Sequence, residues 1–164
     1  MVSEKIKKAI NDQINKEFYS SYLYLAMAAH FDAKALPGFA HWMKLQSAEE
    51  WEHGMKFYEY LYEVGSEVEL AEIKQPPMKF GTVKEIIEMV HEHEQYVTSS
   101  INAIYELSKA EKDPKTEIML NWFITEQVEE EKNARDILDN LEMSGGTNFG
   151  LMQLDKYLGG RKED

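Results

Sequence analysis

Residues 65–81, GSEVELAEIKQPPMKFG, decide how this chain folds. The segment is bounded by Gly65 and Gly81, carries Pro76-Pro77 and lacks helical periodicity, so it reads as an extended connection and not as a tight turn. Unstructured links of this length are uncommon inside a compact domain. A helical bundle needs one when a single connection must run the full length of the molecule.

Long helical patterns lie on both sides of it. Ser3 is a good N-cap, and a first helix over about 4–34 repeats Ile6, Ile10, Ile14, Ser21, Leu25 and Ala28 as its inward positions. Leu36-Pro37-Gly38 breaks it, and a second helix over about 37–64 turns Phe39, Trp42, Met43, Phe57, Tyr60, Leu61 and Val64 inward. Beyond the link, Thr82-Val83-Lys84-Glu85 is a capping box opening a third helix over about 82–111, with the stripe Val83, Ile86, Ile87, Val90, Val97, Ile101 and Ile104. Asp113-Pro114 starts a fourth over about 114–143, with Leu120, Phe123, Ala134, Ile137, Leu138 and Leu141 inward. Ser144-Gly145-Gly146 ends it, and Thr147 caps a short fifth helix over about 147–158. The prediction is all-α: one domain over 1–164, a four-helix bundle with one long crossover between helices 2 and 3 and a short fifth C-terminal helix.

Composition narrows the function. With 43% hydrophobic and 29% charged residues the chain is neither disordered nor membrane-spanning, and Met1-Val2-Ser3-Glu4-Lys5 begins like a mature helix without an apolar signal core, so the expected location is cytoplasmic. The absence of cysteine removes disulfides, thiol catalysis, zinc-thiolate sites and any rubredoxin-like iron centre. A net charge of −12 argues against nucleic acid, whose binding depends on a basic face, and is compatible with gathering cations or with plain solubility.

The inward stripes are interrupted. Glu49-Glu50-Trp51-Glu52-His53 lies in the middle of the second helix, and Glu50 and His53, three apart, share its inward face. Glu17 interrupts the first helix, Glu94 the third, and Gln127 and Glu130 the fourth. One such residue is ordinarily a snorkelling or locally paired side chain. Four carboxylates at comparable depth would repel one another and lose solvation at several kcal/mol per ion, so the protein needs bound cations or raised pKa values there. Two divalent metals sharing a bridging carboxylate meet that demand.

In Glu17, Tyr24, Glu50-Trp51-Glu52-His53, Glu94 and Glu126-Gln127-Val128-Glu129-Glu130, with the run Gly38-Phe39-Ala40-His41-Trp42-Met43, the chain resembles a non-haem ferritin of the bacterial and archaeal type over essentially its whole length. The resemblance implies a first iron site of Glu17, Glu50 and His53 with Glu50 bridging, and a second of Glu94 and Glu130 with Gln127 as a neutral neighbour. It implies a third iron site of Glu49, Glu126 and Glu129 with Glu130. It also implies ferroxidase activity on Fe(II) with dioxygen, ferric mineral storage and self-assembly into a homo-oligomeric shell, usually of 24 subunits. Aromatics such as Tyr19, Tyr22, Tyr58 and Tyr62 look exposed and need partners or a solvated setting. Tyr24, seven residues after Glu17 and about two turns on, is either a core tyrosine or a residue acting beside the irons, and the resemblance favours the second. A bacterioferritin would have a haem-binding methionine directly after the second-helix glutamate; Trp51 stands there, so no haem is predicted.

Symmetric di-iron bundles repeat Glu-x-x-His on the fourth helix, whereas here Asn133 stands three residues after Glu130 and Gln127 precedes it. One metal has a histidine and the other does not, which weakens the second site and fits iron passing through to a mineral. Two other readings stay open: a non-storage di-iron oxidoreductase of the same fold, whose iron stays in place, and a structural bundle whose buried acids are accidents of register. The missing cysteines and the missing second Glu-x-x-His count against the former. His91, three residues before Glu94, is within reach of the centre but reads more simply as a partly exposed side chain, and Trp122 reads as core.

Overall fold

The structure is a computed structural model, and it describes residues 1–163. Five helices follow one another as α1 (Glu4–Ala33), α2 (Pro37–Glu63), α3 (Val83–Ala110), α4 (Pro114–Met143) and α5 (Asn148–Leu158), with no strand among the described residues. The helix starts follow local chemistry. Ser3 accepts a hydrogen bond from the Ile6 N–H, Thr82 and Glu85 form a reciprocal capping box, and Thr147 accepts from the Gly150 N–H. Asp113 precedes α4 without capping it through its side chain; its Oδ2 instead accepts from Thr116 Oγ1 at 3.0 Å.

α1 and α2 form one antiparallel pair and α3 and α4 another, each joined by a short turn. The α1–α2 turn holds Ala35 in the left-handed region at φ 56°, an uncommon place for a residue with a side chain. After α2, Gly65 at φ 72° takes the left-handed position that ends a helix most cheaply, and the Ser66 N–H bonds back to Leu61 O. The crossover then has to travel back along the bundle, since the 27 residues of α2 span about 40 Å. It is stitched to α1 on the way: Asn11 Nδ2 donates to Glu67 O, the Glu69 N–H donates to Asn11 Oδ1, and Asn15 Nδ2 donates to Glu72 O.

The apolar core is in two pieces. One gathers Tyr24, Met27, Phe31, Phe39, Met43, Ile87 and Val90 with the inner face of α5, and the other gathers Ile6, Ile10, Ile14, Phe57, Leu61, Val97 and Leu120. The interior carboxylates occupy the level between them. One expected inward residue is misplaced: Leu25 is 47% exposed, and Tyr24 and Met27 take the core positions. At about 100° per residue, the seven steps from Glu17 to Tyr24 fall about 20° short of two turns, while Leu25 lies about 80° past them. Tyr19 is half-buried against the core, and Tyr22, Tyr58 and Tyr62 are exposed.

α5 packs across the start of α2 because Gly38 has no side chain there. A Cβ on Gly38 would stand 1.6 Å from the Asp155 carbonyl oxygen. The Phe39 N–H donates to Asp155 Oδ1 at 2.9 Å, and Leu154 and Leu158 are the buried residues of α5. Its outer face leaves Phe149, Met152 and Tyr157 exposed.

Candidate metal centre

Each of the four long helices delivers a carboxylate to one buried level. Glu17, Glu50, Glu94 and Glu130 are all at most 3% exposed, and His53 lies with them at 4%. Among the described residues, three groups have ligand atoms within 4.8 Å of one another: Glu17 with Glu50 and His53, Glu50 with Glu94 and Glu130, and His53 with Glu126 and Glu130. Glu50 belongs to the first two groups, the position a shared carboxylate must hold. His53 is also shared, its Nδ1 3.5 Å from Glu50 Oε2 and its Nε2 3.9 Å from Glu126 Oε1.

The donors fit a hard divalent cation. Buried polar atoms are normally hydrogen-bonded, yet Glu17 Oε2 and both oxygens of Glu50 are buried without a hydrogen-bond donor from the protein. The neighbouring acids are held from outside the cluster. Gln13 Nε2 donates to Glu17 Oε1 at 2.8 Å, and Tyr24 donates a short hydrogen bond to Glu94 Oε1. Gln127 Nε2 donates to Glu94 Oε2 at 3.1 Å, and Gln46 Nε2 donates to Glu130 Oε2 at 2.7 Å. These amides and the phenol leave oxygens of the central acids directed at one another across a small volume, an arrangement that costs free energy unless positive charge enters it.

Without metal, protons carry part of that load. Burial, reinforced by the Glu94, Glu17 and Glu130 charges, raises the Glu50 carboxyl well above its ordinary value. Burial likewise raises Glu17, and burial together with Glu94 raises Glu130 well above the carboxylate range. Glu94 is pushed up by burial to about 7, against the lowering pull of the Tyr24 and Gln127 hydrogen bonds. Burial drives His53 down to about 4, so near neutral pH it offers uncharged imidazole, the form a metal binds. The Tyr24 hydroxyl is raised well above its usual value by burial and by Glu94, which keeps its proton available for the hydrogen bond.

The residues expected around a third metal are more spread out. Glu126 joins His53 and Glu130 in one of the three groups, and Glu49 lies close enough to raise the Glu130 pKa, but Glu49 Oε1 also accepts a hydrogen bond from Arg161 Nη2 at 2.8 Å. Glu129 is exposed and belongs to none of the three groups.

Several neighbours escaped the sequence reading. Gln13 and Gln46 are buried amides whose signal was present, since each lies four residues before a stripe carboxylate, Glu17 and Glu50 respectively. His93, and not His91, is packed against the centre: its Nε2 lies 2.7 Å from Ser20 Oγ, its ring meets Tyr24 edge-on at 5.8 Å, and burial lowers it to about 4. Trp122 is 41% exposed and not core; its ring meets His53 edge-on at 5.4 Å, with the Lys56 ammonium 4.5 Å from its centre. Arg161, beyond the last helix, carried no sequence signal at all.

The chain has relatives among known proteins. The sequence matches the ferritin-like domain family over residues 7–144. It is 40% identical over 161 residues to a bacterial non-heme ferritin of Bacteroides fragilis, covering 98% of this chain and all of that protein. It is 42% identical over 159 residues to a probable bacterial non-heme ferritin-like protein of Haemophilus influenzae, covering 97% of this chain and 96% of that one. Among solved structures, an open pore ferritin from the archaeon Archaeoglobus fulgidus superposes with a TM-score of 0.97 at 42% identity, covering 98% of both chains. An engineered closed form of the same ferritin gives 0.98 at 41% identity over the full length of both.

Proposed function

The chain belongs to the ferritin family, and from that premise we propose that it is an iron-storage protein with ferroxidase activity. Fe(II) is its substrate, oxidised by dioxygen at a pair of sites made by Glu17, Glu50 and His53 and by Glu50, Glu94 and Glu130, with Gln127 holding Glu94. The observation that carries this reading is the level of four buried carboxylates in which Glu17 Oε2 and both Glu50 oxygens lack a hydrogen-bond donor from the protein.

The chemistry follows from the donor set. Carboxylate oxygens favour Fe(III) over Fe(II), so binding here lowers the cost of oxidation, and two irons side by side supply two electrons to one dioxygen molecule. Protons held on the raised carboxyls leave as metal enters, and His53 needs to lose none. Tyr24 holds Glu94 in place. On the fourth helix the neutral residues Gln127 and Asn133 flank Glu130, with Asn133 where a second histidine would stand. Fe(III) leaves the centre through Glu126, Glu49 and Glu129, towards a mineral. Subunits assemble into a hollow homo-oligomeric shell of 24 in the cytoplasm, and the exposed Phe149, Met152 and Tyr157 of α5 and Tyr22, Leu25 and Leu70 elsewhere are candidates for cover by neighbouring copies. No haem, nucleic acid or membrane has a part in it. No helix among the described residues is long and apolar enough to cross a membrane.

The test is an aerobic Fe(II) titration of the assembled protein with size-exclusion chromatography. Storage requires a particle of many subunits that takes up iron far beyond three per subunit. Uptake that stops at two or three irons overturns storage in favour of a fixed di-iron oxidoreductase, and replacement of both Glu50 and His53 without loss of rapid oxidation overturns the ferroxidase reading.

A further inference from the structure

Arg161 reaches the acidic centre from beyond the end of α5. Its Nη1 donates to Gln46 Oε1 at 2.6 Å and its Nη2 to Glu49 Oε1 at 2.8 Å, while the guanidinium lies 5.1 Å from the centre of the Trp42 ring. Gln46 passes the contact inward, because its Nε2 donates to Glu130 Oε2. The Arg161 side chain is 17% exposed and that of Glu49 21%, so the pair sits at the rim of the buried level.

The placement is built and not incidental. His41 Nε2–H donates to the Arg161 carbonyl at 2.7 Å, fixing the backbone from which the side chain departs. The close approach of α5 to Gly38 continues at Gly159, where an added Cβ would meet the Gly38 Cα at 3.3 Å. Two glycines therefore let the end of α5 lie flat on α2, and Arg161 is delivered next to Glu49. Arginine suits the task because its planar fork can satisfy two acceptors at once while resting on an aromatic face.

We propose that Arg161 is a resident counter-cation that competes with metal for Glu49, so that a divalent ion entering the outer site displaces the guanidinium and unlinks Gln46 from the C-terminal tail. The inference rests on Glu49 being a ligand of the outer site. A cation bound by Glu49 repels the guanidinium hydrogen-bonded to the same carboxylate, so each occupancy weakens the other. Because binding couplings are reciprocal, whatever the metal does to loosen Arg161, Arg161 does to weaken the metal. Its second bond extends the effect to Glu130: once Arg161 leaves, the Gln46 carbonyl loses its donor and Glu130 is held less firmly. Arg161 is thus a positioning residue that keeps the outer site weak, which suits iron that has to move on.

Calorimetric titration of the assembled protein with Zn(II), which has no redox chemistry, tests this on the native chain, E49Q, R161Q and the double variant. The expected result is that E49Q removes one weak class of sites, that R161Q tightens that class about tenfold, and that the double variant behaves as E49Q in lacking it. A crystal structure of the native protein at Zn(II) saturation should have the guanidinium off Glu49. If R161Q leaves the weak class unchanged or weakens it, or Arg161 stays on Glu49 in the zinc-loaded crystal, the competition is refuted while the outer site stands. If E49Q removes no class of sites, the outer-site reading itself fails and this inference with it.

Discussion

The Tyr24 hydroxyl donates its hydrogen bond to Glu94 Oε1 across 70 positions of sequence, joining α1 to α3 at the level of the acidic centre. That bond opposes the effect of burial on Glu94, whose carboxyl would otherwise sit higher than about 7. In Y24F the carboxylate loses a donor that only the charged form fully exploits. Metal uptake at the Glu94 side should then need higher pH, its midpoint moving up by as much as about one unit. Zn(II) titrations of native and Y24F protein at a series of pH values measure the shift, and an unchanged midpoint contradicts this role.

Replacing Glu50 with glutamine puts a neutral amide in place of a buried carboxyl whose two oxygens have no hydrogen-bond donor from the protein. The metal-free variant should be as stable as the native protein or more stable by about 1–3 kcal/mol, because the amide is neutral at every pH, whereas the buried carboxyl has to hold a proton to be so. Metal affinity should fall by about 100-fold, since the shared ligand is gone. Thermal unfolding with and without Zn(II) separates the two effects: the rise in Tm on adding metal should largely disappear while the metal-free Tm does not drop.

Stability of the metal-free protein should depend on pH in a particular direction. The buried carboxyls of Glu17, Glu50, Glu94 and Glu130 hold protons that the unfolded chain, near its ordinary value of 4.5, has released, so their contribution falls as pH rises. His53 and His93, lowered to about 4, act in the opposite sense, but only up to the unfolded value of 6.5. Above that pH the carboxyls act alone. The metal-free Tm should therefore decline from pH 6.5 to about pH 8, and saturating Zn(II), which competes with those protons, should abolish or reverse the decline.

Gly38→Ala should unseat α5. The new methyl would overlap the Asp155 carbonyl, a backbone atom that cannot step aside without moving the helix. A cost of about 1–3 kcal/mol is expected, read as faster amide exchange in α5 and a lower Tm. The four long helices should keep their protection, since α5 contributes only Leu154 and Leu158 to the buried set.

Much of this protein was written in local sequence. The helices, their caps and the breaks at Leu36-Pro37-Gly38, Pro76-Pro77 and Ser144-Gly145-Gly146 are matters of near neighbours, and a 3.6-residue period exposes any polar residue that interrupts an apolar stripe. Glu17, Glu50, His53, Glu94 and Glu130 were legible for that reason, and so was the long crossover. The tertiary structure decided what sequence spacing cannot encode. His93 and not His91 packs beside Tyr24, Glu129 stays on the exposed face while Glu126 turns towards His53, and Arg161 arrives at Glu49 from 112 positions away. Those outcomes depend on how helices rotate and dock against one another. A residue contributed by a distant element leaves no period, cap or motif at the position it serves.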